Sequence, residues 1–278
     1  MNAPQVPQRD ALPEPAGTGA AVHVDPAPFD LPGDGNAAAL CLHGLTGTPY
    51  EVRPLGEALA AHGVAARGPA LPGHNETPER LARVGHEEWL ACARANLREL
   101  SDRYERVFVA GVSLGGLIAL WIASEERVDA LVTIGTPLEL SRPVRWLVPW
   151  VKYLRGFAPK PAGSDIRDPE ARARHPSYPR MPLRSVHELV KLQRRVRGRL
   201  SRVTAPIFVA HGALDRTASP ADAARIHASV ASERRRLRSF ERSGHVVTVD
   251  HDGPELIRDA VDFLRGAGGG WDPAADAR

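Results

Sequence analysis

The chain has 278 residues, 43% of them hydrophobic, and its 36 Lys and Arg against 33 Asp and Glu leave a formal charge of +3. That composition supports a real core, in one large domain or two small ones, and excludes a disordered or collagen-like chain. The small net charge argues against nucleic acid as a partner, and no run of about 18 apolar residues marks a membrane span.

Residues 1–33 are rich in Pro, Ala and Gly without periodicity and read as a flexible N-terminal segment. Ala37 to Leu42 reads as the first core strand, running straight into His43-Gly44-Leu45-Thr46-Gly47. Tyr50 to His62 has helical spacing, with Val52, Leu55, Leu59 and Ala60 on one side. A short strand follows at Val64 to Gly68, with Leu71-Pro72-Gly73-His74 as its exit loop, and then a helix from His86 to Ser101. Val107 to Ala110 is β-branched and aromatic enough for a buried strand, and Leu114 to Ala123 has the make-up of a buried helix. After a strand at Ala130 to Gly135 the alternation stops. Residues 138–203 carry eight prolines among basic and aromatic residues with no clear strand, which reads as a cap or lid inserted into a core of residues 34–137 and 204–266. The alternation resumes with a strand at Pro206 to Gly212, a helix from Pro220 to Val230, a strand at Leu237 to Phe240 and a helix from Gly253 to Gly266; residues 267–278 read as a flexible tail. Such a pattern predicts an α/β fold with a mostly parallel central sheet flanked by helices, whose ligands sit at the carboxyl ends of the strands.

Gly111-Val112-Ser113-Leu114-Gly115, set between strand and helix, reads as a nucleophile elbow: a sharp turn that lifts one hydroxyl clear of the backbone, with glycines where side chains would clash. A serine attacks an acyl group at neutral pH only with a base to take its proton, and that base needs a carboxylate to fix its tautomer. Asp215, four residues past a strand end, fits the acid, with Asp129, Asp222, Asp250 and Asp252 as rivals. His245, in the small-residue turn Ser243-Gly244-His245, fits the base, with His211, His227 and His251 as rivals. Two backbone N–H groups, those of Leu45 and Leu114, are placed to hold an oxyanion, each worth on the order of 3 kcal/mol. His43 reads as a structural histidine.

Taken together, His43-Gly44-Leu45-Thr46-Gly47, Leu71-Pro72-Gly73-His74, the Ser113 elbow with Gly116, His211-Gly212-Ala213-Leu214-Asp215 and Ser243-Gly244-His245 resemble the α/β-hydrolase superfamily. Within it the chain resembles small bacterial carboxylesterases related to monoacylglycerol lipases, over about residues 36 to 265. The resemblance implies Ser113 as nucleophile, Asp215 as acid, His245 as base, Leu45 and Leu114 as oxyanion donors, and a cap over the site. It implies a serine carboxylic-ester hydrolase working through an acyl-enzyme on a small ester or monoacylglycerol, with no metal or organic cofactor. The proline and arginine content of the cap departs from the family, so substrate choice does not carry over.

In the cap, Trp146 and Trp150 recur with Leu154 and Phe157 at near-helical spacing, among Arg142, Arg145, Lys152 and Arg155. This face either packs on the core, or lines a substrate pocket, or touches a lipid surface. The basic run from Lys191 to Arg202 reads as a solvated helix face. A thioesterase, acyltransferase or perhydrolase would share the acyl-enzyme step, and sequence does not separate them. A dinucleotide-binding protein would need a different glycine spacing from that at 111–116, and a ligand-binding protein on the same scaffold would show a damaged triad. Cys41 and Cys92 read as buried thiols, and the N-terminus lacks the basic-then-apolar order of a leader, so a cytoplasmic protein is expected; the oligomeric state is left open.

Overall fold

The computed structural model of the chain describes residues 24–160 and 163–267. Its first part comprises β1 (Phe29–Leu31), β2 (Ala37–Leu42), α1 (Arg53–Ala61), β3 (Ala65–Gly68), α2 (Pro78–Leu81), α3 (His86–Ser101), β4 (Arg106–Val112), α4 (Leu114–Glu125) and β5 (Ala130–Ile134). An insertion follows with α5 (Arg142–Leu154), β6 (Phe157–Pro159), α6 (Pro169–Arg174), β7 (Arg180–Pro182) and α7 (Leu183–Arg197). The chain then returns to the core with β8 (Ile207–Gly212), α8 (Ala221–Ser229), β9 (Arg235–Phe240) and α9 (Gly253–Gly266). Seven strands form one sheet in the order β1-β3-β2-β4-β5-β8-β9, and only β1 runs antiparallel to its neighbour. The fold is therefore α/β with a mostly parallel sheet.

Helices cover both faces, which is why β2 is Ala-Ala-Ala-Leu-Cys-Leu with all six residues buried. Alternation along the strand divides those side chains. Ala38, Leu40 and Leu42 join the cluster with α3 and α4, whereas Ala37, Ala39 and Cys41 join the one with α1 and α9. The central helix α4 is buried from Leu114 through Ala123, all round its circumference. Among the described residues, no helix is long and apolar enough to cross a membrane.

Two segments depart from the sequence expectation. Phe29–Leu31 lies inside the stretch read as flexible, yet it pairs with β3 and seats the Phe29 ring over Gly56 and Gly68, where an added Cβ would come within 2.6 and 2.2 Å of it. Three residues are too short a run to show a period; the signal was in the two glycines that receive the ring. Residues 1–23 and 268–278, which make up most of the two expected tails, lie outside the described residues. The insertion, read as strandless, holds the antiparallel pair β6–β7. Four of its prolines mark element ends, Pro143 and Pro169 in the first turns of α5 and α6 and Pro159 and Pro182 closing the two short strands, whereas Pro149 lies inside α5.

Register brings the loops to one rim. Leu42 pairs with Gly111, Val112 with Ile134, Ile134 with Ala210 and Gly212 with Phe240. The loops carrying Gly44, Ser113, Gly135, Asp215 and His245 thus leave the sheet side by side at its carboxyl edge.

Candidate active site

Ser113 has φ 54° and ψ −111°, a left-handed conformation that strains a residue with a side chain and is found where a turn must be this sharp. The flanking glycines are required by space. A Cβ on Gly111 would lie 2.2 Å from the Gly115 carbonyl, and one on Gly115 would lie 2.0 Å from the Leu42 oxygen. The backbone N–H of Ser113 donates to the Ile134 oxygen at 2.8 Å, which ties the elbow to β5.

His245 faces the same cavity as Ser113. Its Nδ1 lies 2.8 Å from Asp215 Oδ2, and Asp215 Oδ1 accepts the N–H groups of Thr217 and Ala218 at 2.8 Å each. With Nδ1–H held by the carboxylate, Nε2 is left as an acceptor. His211 Nε2 stands 2.9 Å from the same Oδ2. Burial alone would raise the Asp215 pKa, but His211, His245 and the Ala218 N–H hold it well below the usual carboxylate range. Burial pushes the His245 imidazole down; Asp215, backed by Glu51 and Asp165, outweighs it and leaves the pKa above the ordinary histidine value. Gly135, at φ +55°, lies under this ring: a Cβ there would come within 2.7 Å of the His245 oxygen and 3.4 Å of its Nδ1.

The rival carboxylates are engaged elsewhere. Asp129 accepts the Val107 N–H, Asp222 pairs with Arg225 and the Glu139 N–H, and Asp252 holds Ser243 and Arg242. Asp250 accepts four backbone N–H groups, those of Arg167, Asp168, Gly244 and His251. His251 sits 3.9 Å from Asp168, and His227 lies in α8.

Leu114 opens α4 immediately after Ser113, and among the described residues no acceptor takes its N–H or that of Leu45. The Leu45 peptide is fixed from behind. His43 Nε2 accepts the Leu71 N–H at 3.1 Å, so the proton sits on Nδ1, which donates to the Gly44 oxygen at 2.9 Å. Burial holds the His43 pKa down, in keeping with a neutral, structural ring.

The cavity holding Ser113 and His245 is about 460 Å³. Its apolar wall comes largely from the insertion side, from Leu140, Met181, Val186 and Leu189, with Leu45 and Val112 below. Trp146 and Trp150, expected to bind substrate, do not line it; they are 71% and 74% exposed. The reason is the direction of α5, which buries Val148 and turns its aromatic face to solvent. The basic run is a mostly paired face of α7 and the turn after it: Lys191 meets Glu188, Arg195 meets Glu87, and Arg199 and Arg202 meet Glu125.

With this geometry in hand, comparison with known proteins is decisive at the family level: the profile of the serine aminopeptidase S33 family matches residues 34–252. The chain belongs to the serine aminopeptidase S33 family. This S33 protein is 27% identical over 235 residues to a thermostable monoacylglycerol lipase of Bacillus sp. (strain H-257), covering 83% of this chain and 91% of that one. It is 28% identical over 242 residues to a carboxylesterase of Bacillus subtilis (strain 168), covering 87% and 97%. Among solved structures it matches a chain described with two metagenome-derived lipolytic enzymes, LipS and LipT, at a TM-score of 0.82 and 27% identity, covering 86% and 97%.

Sequence reasoning missed three polar residues of this S33 site. Glu51, buried in the 3-10 turn Pro49–Glu51, accepts the Gly44 N–H at 2.7 Å. Asp165, in the insertion, takes the His245 N–H on its backbone oxygen at 2.8 Å and the Arg216 N–H on Oδ2 at 2.6 Å, so it holds the loops of His245 and Asp215 together. Lys160, whose pKa burial pushes down, donates to Ser164 and Ser177 inside the same cavity. One signal was available: Glu51 falls four residues before Leu55 and eight before Leu59, a charge on the inward face of a helical pattern. Asp165 and Lys160 sit in irregular chain and carried none.

Proposed function

We propose that the protein is a serine carboxylic-ester hydrolase of the carboxylesterase and monoacylglycerol lipase type, working through an acyl-enzyme. Ser113 attacks the ester carbonyl, His245 takes the proton and returns it to the leaving alcohol, and Asp215 holds and charges-balances the imidazole. The N–H groups of Leu45 and Leu114 receive the negative oxygen of the tetrahedral intermediate. The observation that carries this reading is the contact of Asp215 Oδ2 with His245 Nδ1 at 2.8 Å beside a serine held at φ 54° in the same cavity. Relatives named as carboxylesterase and monoacylglycerol lipase support the ester as substrate. The insertion, roughly residues 138–203, acts as the cap that walls the acyl side.

A peptidase reading, which the family's name invites, is disfavoured by the charges present. An aminopeptidase needs a free carboxylate for the substrate's ammonium group. The carboxylates lining this cavity are both occupied, Glu51 by Gly44 and His175 and Asp165 by Arg216 and Arg167. The test is hydrolysis of p-nitrophenyl esters of rising acyl length and of a monoacylglycerol, run beside an aminoacyl p-nitroanilide and labelling by a fluorophosphonate. Ester turnover with one equivalent of label is expected; anilide turnover with inert esters would overturn the reading.

A lipid surface is a second contact that α5 favours. Of seven exposed large hydrophobic side chains among the described residues, five lie on this helix: Trp146, Leu147, Trp150, Tyr153 and Leu154. Arg142, Lys152 and Arg155 stand among them, the pattern of a helix that lies in an anionic interface. The double substitution Trp146→Ala and Trp150→Ala is expected to weaken binding to anionic vesicles by at least about tenfold. Turnover of a soluble short-chain ester should stay unchanged, because neither ring lines the cavity. The thiols of Cys41 and Cys92 are free.

A further inference from the structure

We infer that Glu51 is a positioning residue for the oxyanion loop and the point at which the insertion latches that loop into its working shape, an inference that rests on the esterase reading above. The peptide that presents the Leu45 N–H begins at Gly44, a residue with no side chain to restrain it. Gly44 is held at both ends. Its oxygen takes His43 Nδ1 at 2.9 Å and the Gly47 N–H at 3.2 Å, and its N–H goes to Glu51 Oε2 at 2.7 Å. Because a trans peptide sets N–H opposite C=O, fixing the Gly44 oxygen on the His43 side aims the Leu45 N–H the other way. Glu51 completes the restraint by fixing the preceding peptide, so the two soft torsions of Gly44 have contacts on both sides.

The loop is shaped around this carboxylate. A Cβ on Gly47 would sit 2.1 Å from Glu51 Oε1, and one on Gly44 would sit 2.9 Å from Oε2 and 3.3 Å from the Ser113 Cβ. The side chain therefore lies directly behind the turn and close to the nucleophile. A buried carboxylate there would oppose a developing oxyanion unless its charge were balanced. The insertion supplies the balance. His175 Nε2 stands 3.1 Å from Oε1, His175 Nδ1 contacts Ser164 Oγ at 2.8 Å, and the Lys160 ammonium donates to Ser164 at 3.2 Å and to Ser177 at 2.7 Å. A further bond, from the Tyr178 N–H to the Thr46 oxygen at 3.2 Å, joins the insertion to the loop directly. Glu51 is itself anchored by Thr248, whose hydroxyl donates to its backbone oxygen at 2.6 Å. Burial pushes the carboxyl up, yet the contacts with His175 and the Gly44 N–H oppose it and the carboxyl stays at about 2, so the group stays an acceptor at working pH.

The test compares Glu51→Gln, Glu51→Ala and His175→Ala with the parent on one p-nitrophenyl ester, reading kcat, KM, melting temperature and affinity for a trifluoromethyl ketone. The ketone forms a tetrahedral adduct on a serine and so reports the oxyanion donors apart from acyl binding. Glu51→Gln keeps an oxygen for the Gly44 N–H and is expected to retain kcat within about threefold. Glu51→Ala is expected to lower kcat and ketone affinity together, each by about 100-fold, with KM little changed, the size of effect that a small misplacement at a reacting centre produces. His175→Ala should fall between them. Should Glu51→Ala fail to fold, His175→Ala and Glu51→Gln still decide the matter. Parent-like kcat and ketone affinity in Glu51→Ala, or in His175→Ala where Glu51→Ala is not folded, would overturn the inference. So would losses confined to KM or to melting temperature. A parent that turns over no ester would instead sink the function, which separates the two failures.

Discussion

Ser113→Ala is expected to lower kcat/KM for a p-nitrophenyl ester by roughly 10⁴- to 10⁶-fold, the cost of removing a nucleophile from a triad that acts as a unit. Folding should be spared. Ser113 is part-exposed and its side chain makes no hydrogen bond among the described residues, and Ala tolerates φ 54° neither better nor worse than Ser. The melting temperature is therefore expected to stay within a few degrees of the parent. Loss of fluorophosphonate labelling alongside loss of turnover checks the assignment, and turnover retained by Ala at 113 would move the nucleophile elsewhere.

The second large effect concerns the acid. Asp215→Asn keeps the shape and the two backbone N–H contacts to Oδ1 but offers His245 a neutral partner, which permits the wrong tautomer and leaves the imidazolium unbalanced. A drop of about 10⁴-fold in kcat is expected. The pH profile should move as well, and its direction is fixed by the forces on the ring. His245 works as a base only when neutral, so parent activity falls as pH drops through a pKa that Asp215 holds above the ordinary value of about 6.5. Without the carboxylate, burial acts with less opposition and the pKa falls, so the acid limb of the residual activity shifts to lower pH. A limb that stays in place would mean that Asp215 is not the group facing the base.

Much of this architecture could be read from one dimension because it depends on local pattern. Strands buried on both faces announce themselves as apolar runs, and α4 is apolar for ten residues because every side of it is covered. The elbow was legible for a sharper reason: Gly111 and Gly115 leave less than 2.5 Å for any side chain, so only one residue type fits. Chain order then suggested Asp215 and His245, and the structure sets them in contact. What could not be read is long-range. Nothing near Glu51 announces that His175 will stand against it, and nothing near Asp165 announces His245. The spacing of Trp146 and Trp150 gave an amphipathic face, but periodicity says which residues share a side and not what that side meets. The helix turns its face to water, and the cavity wall is built by Met181, Val186 and Leu189 instead.

The insertion is not one separable piece. Residues 164–168 are stitched to Asp250 and, through Asp165, to the turns bearing Asp215 and His245, whereas α5 hangs on little more than its contact with α7. Anyone building chimeras to alter acyl preference should therefore splice on either side of α5, near residues 141 and 156, and leave everything downstream native. A graft exchanged at residues 138 and 203 would carry off the scaffolding of the reaction centre along with its roof.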